Sequence, residues 1–552
     1  MEEVKLEGGR LLIPTQLVLD KLKPGVGRVR EVMASHFPGV RYKPGYWVTF
    51  ANPTCIVTCN ILFGTAFASQ EYDTSKISFP FKMPPRRHQL QALAASRGKK
   101  GFAYFMEPGL GKTKVTIDEA MILHRDGEVD SVAVFCPKSV IPVWLREIRK
   151  HGYSDDWSIQ YWNSDASPSR IQVIHGPARP QMYWLIVGVE SSIFPKTSAV
   201  IERFLCCSSK TMVVYDESTT IKNPDAKRSV AAWKFRTMAE YRRILTGTPL
   251  ADGNPMDFYS QMTFLDPEIF SGMSFRSYQH HYAIMGGFKN RDILGYQNQG
   301  ELASIIAEYS YTARMKDCLD LPPQTFQTRE IELTPANLRN YRAIVNEVLI
   351  QVAERTMTID MMGTKIMKLR QLCGGAILDD EGTVIPVGTE KLDDLMAMMA
   401  EHGSAQVIVW CVFVHEIHAI HDRMTKAGYT CVEYYGATKI EERGRIEEDF
   451  EKGKIQVAVI QVDTGSLGLT LNAAAISYFY SNPRYLLPRI QAECRNFRDG
   501  QTKPTFVIDA FIKGTVDETI YKDIQRKRDF SETFMGALSD PKAMEDLLYG
   551  GG

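Results

Sequence analysis

The feature that most constrains this chain is a pattern that occurs twice. Short runs of β-branched and aromatic residues end in turn residues, and amphipathic helical stretches separate them. From about Phe81 to Leu265 the runs are Gly101–Met106, Ser131–Cys136, Trp184–Val189, Met212–Tyr215 and Arg242–Leu245, with helical Lys112–His124 and Val140–Lys150 among them. From about Lys391 to Ile520 they are Gln406–Phe413, Tyr429–Tyr434, Gln456–Gln461, Ile476–Tyr480 and Thr505–Ile508, with helical His415–Lys426, Lys439–Glu451 and Leu486–Phe497. Parallel strands need long crossovers, and helices on both faces bury near-continuous apolar strands. Two such series predict two α/β layers, with a cleft between lobes suited to closing on a ligand.

The rest of the chain reads differently. Residues 266–390 contain the helix-like stretches Leu338–Met357 and Met361–Leu372, punctuated by Pro322-Pro323 and Gly374-Gly375. They are expected to be helical insertions and a connector. Residues 1–80 form a small α+β N-terminal unit, with helical Thr15–Lys23 and Val29–His36 and strand-like Trp47–Phe50 and Cys55–Phe63. The expected domains are therefore 1–80, a first lobe at 81–265, the insertions at 266–390, a second lobe at 391–520 and a helical tail at 521–552. No apolar stretch approaches the roughly 20 residues that cross a bilayer, and no signal peptide is visible, so a soluble, cytoplasmic protein is expected. Lys+Arg and Asp+Glu both number 65, so any nucleic-acid contact must come from local patches rather than a global basic field. The 10 cysteines contain no C-x-x-C pair and read as reduced thiols. His415, His418 and His421 diverge around a helix and lack zinc-site company, so they read as a helix face.

The chemistry concentrates at strand ends. Met106–Thr113 reads M-E-P-G-L-G-K-T between a strand and a helix. Gly109 and Gly111 let backbone N–H groups approach an anion, and the helix N-terminus adds a favourable dipole. Lys112 is placed for the β- and γ-phosphates of ATP and Thr113 for Mg2+. Met212–Ser218 reads M-V-V-Y-D-E-S, an apolar strand delivering two carboxylates. Asp216 is expected to hold Mg2+ through water, and Glu217 to orient and deprotonate the attacking water. Leu245–Pro249, L-T-G-T-P, ends another strand.

Taken in order, G-L-G-K-T, D-E-S-x-x-I-K-N and L-T-G-T-P-L resemble helicase superfamily two, specifically its Swi/Snf-type translocase branch, in a compact bacterial or bacteriophage-like form. Further elements extend the resemblance. Arg86–Leu90, R-R-H-Q-L, is similar to the glutamine element that reads adenine, with Arg86 and Gln89 in its places. Gly436, Arg443 and Phe450 are spaced as in the family. Asp463–Leu471, D-T-G-S-L-G-L-T-L, is similar to its G-G-x-G-x-N-L element and includes Gly468. Gln491–Gln501, Q-A-E-C-R-N-F-R-D-G-Q, resembles Q-A-x-x-R-x-x-R-x-G-Q. The pattern departs at Ser218 and Thr219, Asp463 and Thr470.

The resemblance implies two RecA-like parallel-sheet lobes with ATP between them. Arg86, Gln89, Gly468 and Gln491 would join the nucleotide site. Arg495 and Arg498, expected on one helix, would serve as arginine fingers. The implied activity is a DNA-dependent ATPase that moves along duplex or branched DNA, by branch migration, remodelling or protein displacement. A strand-separating helicase on DNA or RNA and an ATP-gated clamp are the alternatives.

Overall fold

The computed structural model describes residues 4–538 except 8–9, 23–28, 31–32, 34–39, 45, 51–58, 60–71, 153–156, 163–181, 209, 251, 288–291, 354–358, 380, 466–468 and 470. The chain packs as two units: Met1–Cys318 with Asp529–Gly552, and Leu319–Arg528.

The first unit opens with an antiparallel sheet of β1 (Lys5–Glu7), β2 (Arg10–Pro14), β3 (Arg41–Lys43) and β4 (Tyr46–Phe50), in the order β1-β2-β4-β3, beside α1 (Thr15–Leu22). The expected strand Cys55–Phe63 lies outside the described residues except for Cys59, as does the expected helix Val29–His36 except for three positions.

Next come α2 (Arg87–Ser96), β5 (Gly101–Met106), α3 (Lys112–Arg125), β6 (Ser131–Cys136), α4 (Ile141–His151), β7 (Trp157–Trp162), β8 (Met182–Gly188), β9 (Thr211–Asp216) and β10 (Tyr241–Leu245). They are followed by α5 (Asp257–Leu265), a hairpin of β11 (Ala283–Gly286) and β12 (Asp292–Tyr296), α6 (Gln299–Glu308) and β13 (Ser310–Ala313). Seven of the strands form a parallel sheet in the order β13-β5-β10-β9-β6-β8-β7. Residues 266–318, expected to be helical, therefore also contribute a hairpin and an edge strand. The β7 strand escaped the sequence reading because Ser158 and Gln160 interrupt its apolar run, as an edge strand tolerates.

Residue types explain the layers. The β6 strand, S-V-A-V-F-C, is buried at every position because both faces are covered. Phe135 stacks on Tyr215 of the neighbouring β9, ring centres 4.5 Å apart, and on Phe235. This aromatic stack lies within a core that continues through Phe258, Phe264, Tyr278 and Phe534.

The second unit contains β14 (Gln324–Ile331), α7 (Pro335–Ala353), α8 (Ile359–Cys373), the short pair β15 (Ala376–Leu378) and β16 (Val384–Pro386), α9 (Glu390–His402), β17 (Val407–Cys411), α10 (Val414–Lys426), β18 (Cys431–Tyr434), α11 (Ile440–Glu451), β19 (Val457–Gln461), β20 (Ile476–Phe479), α12 (Leu486–Glu493) and β21 (Thr505–Ile512). Its six-stranded sheet is parallel throughout, in the order β14-β21-β20-β17-β19-β18. Period-two alternation in β17 feeds two separate cores: Val407, Val409 and Cys411 enter one, Ile408 and Trp410 the other. The final described helix, α13, runs Val516–Ala537; its Phe530 and Phe534 join the first unit's core, whereas Arg528 bonds within the second unit.

Candidate nucleotide site and its elements

In the first unit the order β5-β10-β9 makes three motif-bearing strands neighbours. Register places Leu245 level with both Tyr104 and Asp216, so the three C-terminal ends converge at one edge of the sheet. Open α/β sheets bind ligands at this edge.

The loop after β5 turns through Gly109 at φ 87° and Gly111 at φ 82°, backbone that L side chains rarely adopt. A Cβ on Gly111 would stand 2.4 Å from the Gln89 side-chain nitrogen, so this position also needs glycine for space. Gln89 is buried on α2. Its amide donates to the Leu110 carbonyl at 3.1 Å and its carbonyl accepts from the Arg86 N–H at 3.0 Å. His88 Nε2 lies 3.0 Å from the same Leu110 oxygen. Gln89 thus supports the loop from behind, while the Arg86 side chain is exposed.

Lys112 opens α3 and donates to the Met106 carbonyl at 2.8 Å. Thr113 follows, half-buried. Asp216 closes β9 and is 6% exposed. One carboxylate oxygen accepts the Trp144 indole N–H at 2.8 Å, the other the Glu217 N–H at 3.0 Å. Burial raises its pKa, opposed by the Trp144 hydrogen bond and the Lys112 charge. Glu217 has φ 51°, a left-handed backbone uncommon for a residue other than glycine. Such outliers persist where surrounding structure enforces them and concentrate at functional sites.

The L-T-G-T-P turn packs directly on the phosphate-type loop. A Cβ on Gly247 would lie 2.7 Å from Pro108 Cδ and 3.1 Å from the Met106 carbonyl. Gln261 on α5, absent from the sequence reading, joins the other two elements: it accepts from the Ser218 hydroxyl at 2.7 Å and donates to the Pro249 carbonyl at 3.1 Å. Ser218 and Thr219, which depart from the family pattern, are both buried here. Glu107 was missed as well. Its carboxylate accepts the Met315 N–H at 2.6 Å, and burial raises its pKa. Trp144, Gln261 and Glu107 carry no local motif, so only the fold brings them forward.

Glycines that open a cradle, an ammonium beside it, the first N–H groups of α3, a hydroxyl and a buried carboxylate fit a phosphate chain with a divalent cation. Among the described residues no cluster of three His, Cys, Asp or Glu is placed to hold a metal, and no helix is long and apolar enough to cross a membrane.

The second unit holds the remaining expected residues, and one expectation is corrected. The helix read as Leu486–Phe497 ends at Glu493, so Gln491 is helical and buried, whereas Arg495 and Arg498 lie in the turns beyond it. The Arg495 side chain itself caps the helix end, donating to the Gln491 carbonyl at 2.9 Å and to the Leu469 carbonyl at 3.0 Å. Arg498 reaches the same Leu469 oxygen at 3.5 Å. Buried Asn496 bonds Ser477 and Ala474 and draws the chain off the helical path. Gly468 lies outside the described residues.

Arg489 is the fully buried centre of this region. It donates to Glu493 at 2.6 Å and to Asp509 at 3.0 Å, and its guanidinium lies 3.4 Å from the Phe479 ring centre. Arg528 donates to Glu493 at 2.5 Å. In the tail, Arg526 pairs with Asp523 and Lys527 reaches the Arg484 carbonyl. His418 pairs with Glu433 at 2.8 Å, and His415 stacks on Phe413.

Two family models match the chain. Residues 92–376 match the SNF2-related domain and residues 390–500 the helicase conserved C-terminal domain. A chromodomain-helicase-DNA-binding protein 1-like protein of Danio rerio is 22% identical over 441 residues, covering 77% of this chain and 41% of that protein. The DNA annealing helicase and endonuclease ZRANB3 of Mus musculus is 23% identical over 453 residues, covering 80% and 40%. The chain thus spans about two fifths of the length of these relatives. The Sulfolobus solfataricus SWI2/SNF2 ATPase core solved in complex with dsDNA aligns over 85% of this chain and 96% of that one, at 21% identity and a TM-score of 0.39. With the SNF2-related domain covering more than half of its residues, and the helicase C-terminal domain following, the chain belongs to the SNF2-related family of superfamily two, a family of ATP-hydrolysing enzymes.

Proposed function

We propose that the chain is a DNA-dependent ATPase that translocates on duplex or branched DNA, moving branch points or displacing bound proteins. The observation that carries this reading is the convergence of the G-L-G-K-T loop, the Asp216–Glu217 pair and the L-T-G-T-P turn on three adjacent strands.

In this reading Lys112 moves from the Met106 carbonyl to the β- and γ-phosphates, and the Gly109–Gly111 backbone wraps the phosphate chain. Thr113 and Asp216 would hold Mg2+, which neutralises phosphate charge when bound. Glu217 orients the attacking water and takes its proton. On the resemblance alone, Arg86 and Gln89 belong to the element that reads adenine. On the resemblance alone, Gly468 and Gln491 join the nucleotide site, and Arg495 and Arg498 stabilise charge on the transferred phosphoryl group. Gln261 connects Ser218, just after the carboxylate strand, to the L-T-G-T-P turn, a route for relaying hydrolysis. The DNA contact is backbone tracking, which suits a chain with no global basic field. The family assignment and the names of the chromatin and annealing-helicase relatives support DNA as the polymer.

A strand-separating reading has one observation in its favour. The outward face of the β11–β12 hairpin carries Ile284 and Leu294, 48% and 70% exposed. One panel separates the readings: ATPase stimulation by single-stranded, duplex, forked and four-way DNA and by RNA, with triplex displacement and tailed-duplex unwinding in parallel. Triplex displacement with poor unwinding is expected. Efficient unwinding without displacement favours strand separation, and ATP turnover indifferent to every polymer overturns the motor reading.

A further inference from the structure

Asp216 needs a fixed side chain if it is to hold a cation, yet no cationic group among the described residues bonds it. Its two oxygens take the Trp144 indole N–H and the neighbouring backbone N–H of Glu217. Trp144 is itself fully buried on α4, with Ile141, Ile148 and His151 forming the rest of the helix's inward face. The indole has a single polar hydrogen, and it is spent on this carboxylate. Satisfying buried polar atoms does not by itself dictate such a bond here. The Trp184 Nε1 and the Tyr215 hydroxyl are both buried in the same unit without a hydrogen-bond partner.

We infer that Trp144 is the positioning residue of the magnesium site: its indole N–H fixes the Asp216 rotamer by occupying Oδ2, and so leaves the remaining lone pair of Oδ1, beside the Glu217 N–H, for the cation's water shell. The inference rests on the reading of Asp216 as a magnesium ligand. A partner that orients a metal-binding carboxylate typically contributes about 10–100-fold in metal affinity or activity. A neutral donor suits the place, because a lysine or arginine there would neutralise the carboxylate and compete with the cation.

Two substitutions separate orientation from packing. Trp144→Phe keeps a buried aromatic ring and deletes the N–H. Trp144→His deletes the fused six-membered ring but keeps a five-membered ring whose Nε2–H is as many bonds from Cα as the indole N–H. The experiment titrates Mg2+ at fixed fluorescent ATP analogue, reading equilibrium binding, and at fixed ATP with duplex DNA, reading turnover; thermal unfolding of the full chain is recorded alongside. Trp144→Phe is expected to raise the half-saturating Mg2+ about 10–100-fold in both titrations. Trp144→His is expected to respond closer to wild type despite its lower Tm. A wild-type response in Trp144→Phe, or a loss that follows Tm and is worse in Trp144→His, overturns the positioning role. Asp216→Asn is the reference. If it too responds like wild type, the metal assignment of Asp216 has failed; if it alone is impaired, only the role of Trp144 has.

Discussion

Two buried arginines mark a contrast between the units. In the first, Arg243 sits mid-strand in β10, pairs with Glu119 at 2.6 Å and reaches back to the Lys99 and Lys100 carbonyls that precede β5. That is the opposite end of the strands from the phosphate-type loop. In the second, Arg489 lies two residues before Gln491 and grips Glu493, Asp509 and Asn482. Both clusters require desolvating several charges, which favourable geometry only partly repays. The first unit spends that cost away from its chemistry and holds its site carboxylate with a neutral indole. The second spends it under the helix and turn that carry Gln491, Arg495 and Arg498. A buried ion cluster is thus scaffold in one unit and the mounting of candidate functional residues in the other.

The largest expected effect tests where the chemistry lies. Glu217→Gln should bind ATP and lower turnover by about 10²–10⁴-fold, the usual contribution of a general base. Lys112→Ala should lose both turnover and nucleotide binding. Single-turnover hydrolysis with a nucleotide-binding assay checks this, and wild-type hydrolysis by Glu217→Gln would remove the base assignment. Arg495→Ala and Arg498→Ala should lower turnover at saturating ATP while sparing affinity.

The next effect sharpens the contrast. Arg489→Met leaves Asp509 buried without its guanidinium and should cost about 3–5 kcal/mol of the second unit's stability. Turnover measured well below the unfolding midpoint should fall as well, because the arginine turn loses its mounting. Arg243→Met should cost the first unit a similar amount through Glu119, with turnover per folded molecule unchanged. Urea unfolding and ATPase assays on the same preparations check both; equal turnover losses in the two variants would erase the distinction.

The smallest effect is pH-dependent. Glu416 on α10 is buried and accepts from the Ser481 hydroxyl at 2.6 Å; burial pushes its pKa from 4.5 up to about 7. The folded chain therefore keeps this proton at pH values where the unfolded chain has lost it. The associated stability is complete below about 4.5 and is lost as pH rises through about 7. Glu416→Gln should raise the second unit's Tm by a few degrees above pH 7 and leave it unchanged near pH 4.5. An identical shift at both pH values would rule out the titration.

The elements legible in the sequence were those with strong local signals. Continuous apolar runs such as Ser131–Cys136 and Val407–Cys411 mark strands covered on both faces, and the glycine loop before Lys112 announces a tight turn into a helix. Weaker signals failed. Edge strand β7 alternates polar residues, β13 is four residues long, and β14 is exposed over most of its length. The helix through Gln491 was read too long because nothing in E-C-R-N-F-R breaks helical periodicity. Its end is set by Asn496, which bonds Ser477 of a neighbouring strand.

The sequence by itself determined the residue chemistry of this protein and the local geometry around it: which positions tolerate left-handed backbone, which strand delivers two carboxylates, and in what order the motifs run. These are properties of a few consecutive residues, so spacing reveals them. Only the tertiary structure decided that β5, β10 and β9 are adjacent, that Gln261 joins Ser218 to the L-T-G-T-P turn, and that Trp144, 72 residues away in sequence, holds Asp216. Those contacts depend on strand order and on which side chain fills the space beside a buried carboxylate. Both are settled by packing among residues far apart in the chain, where no local pattern reaches.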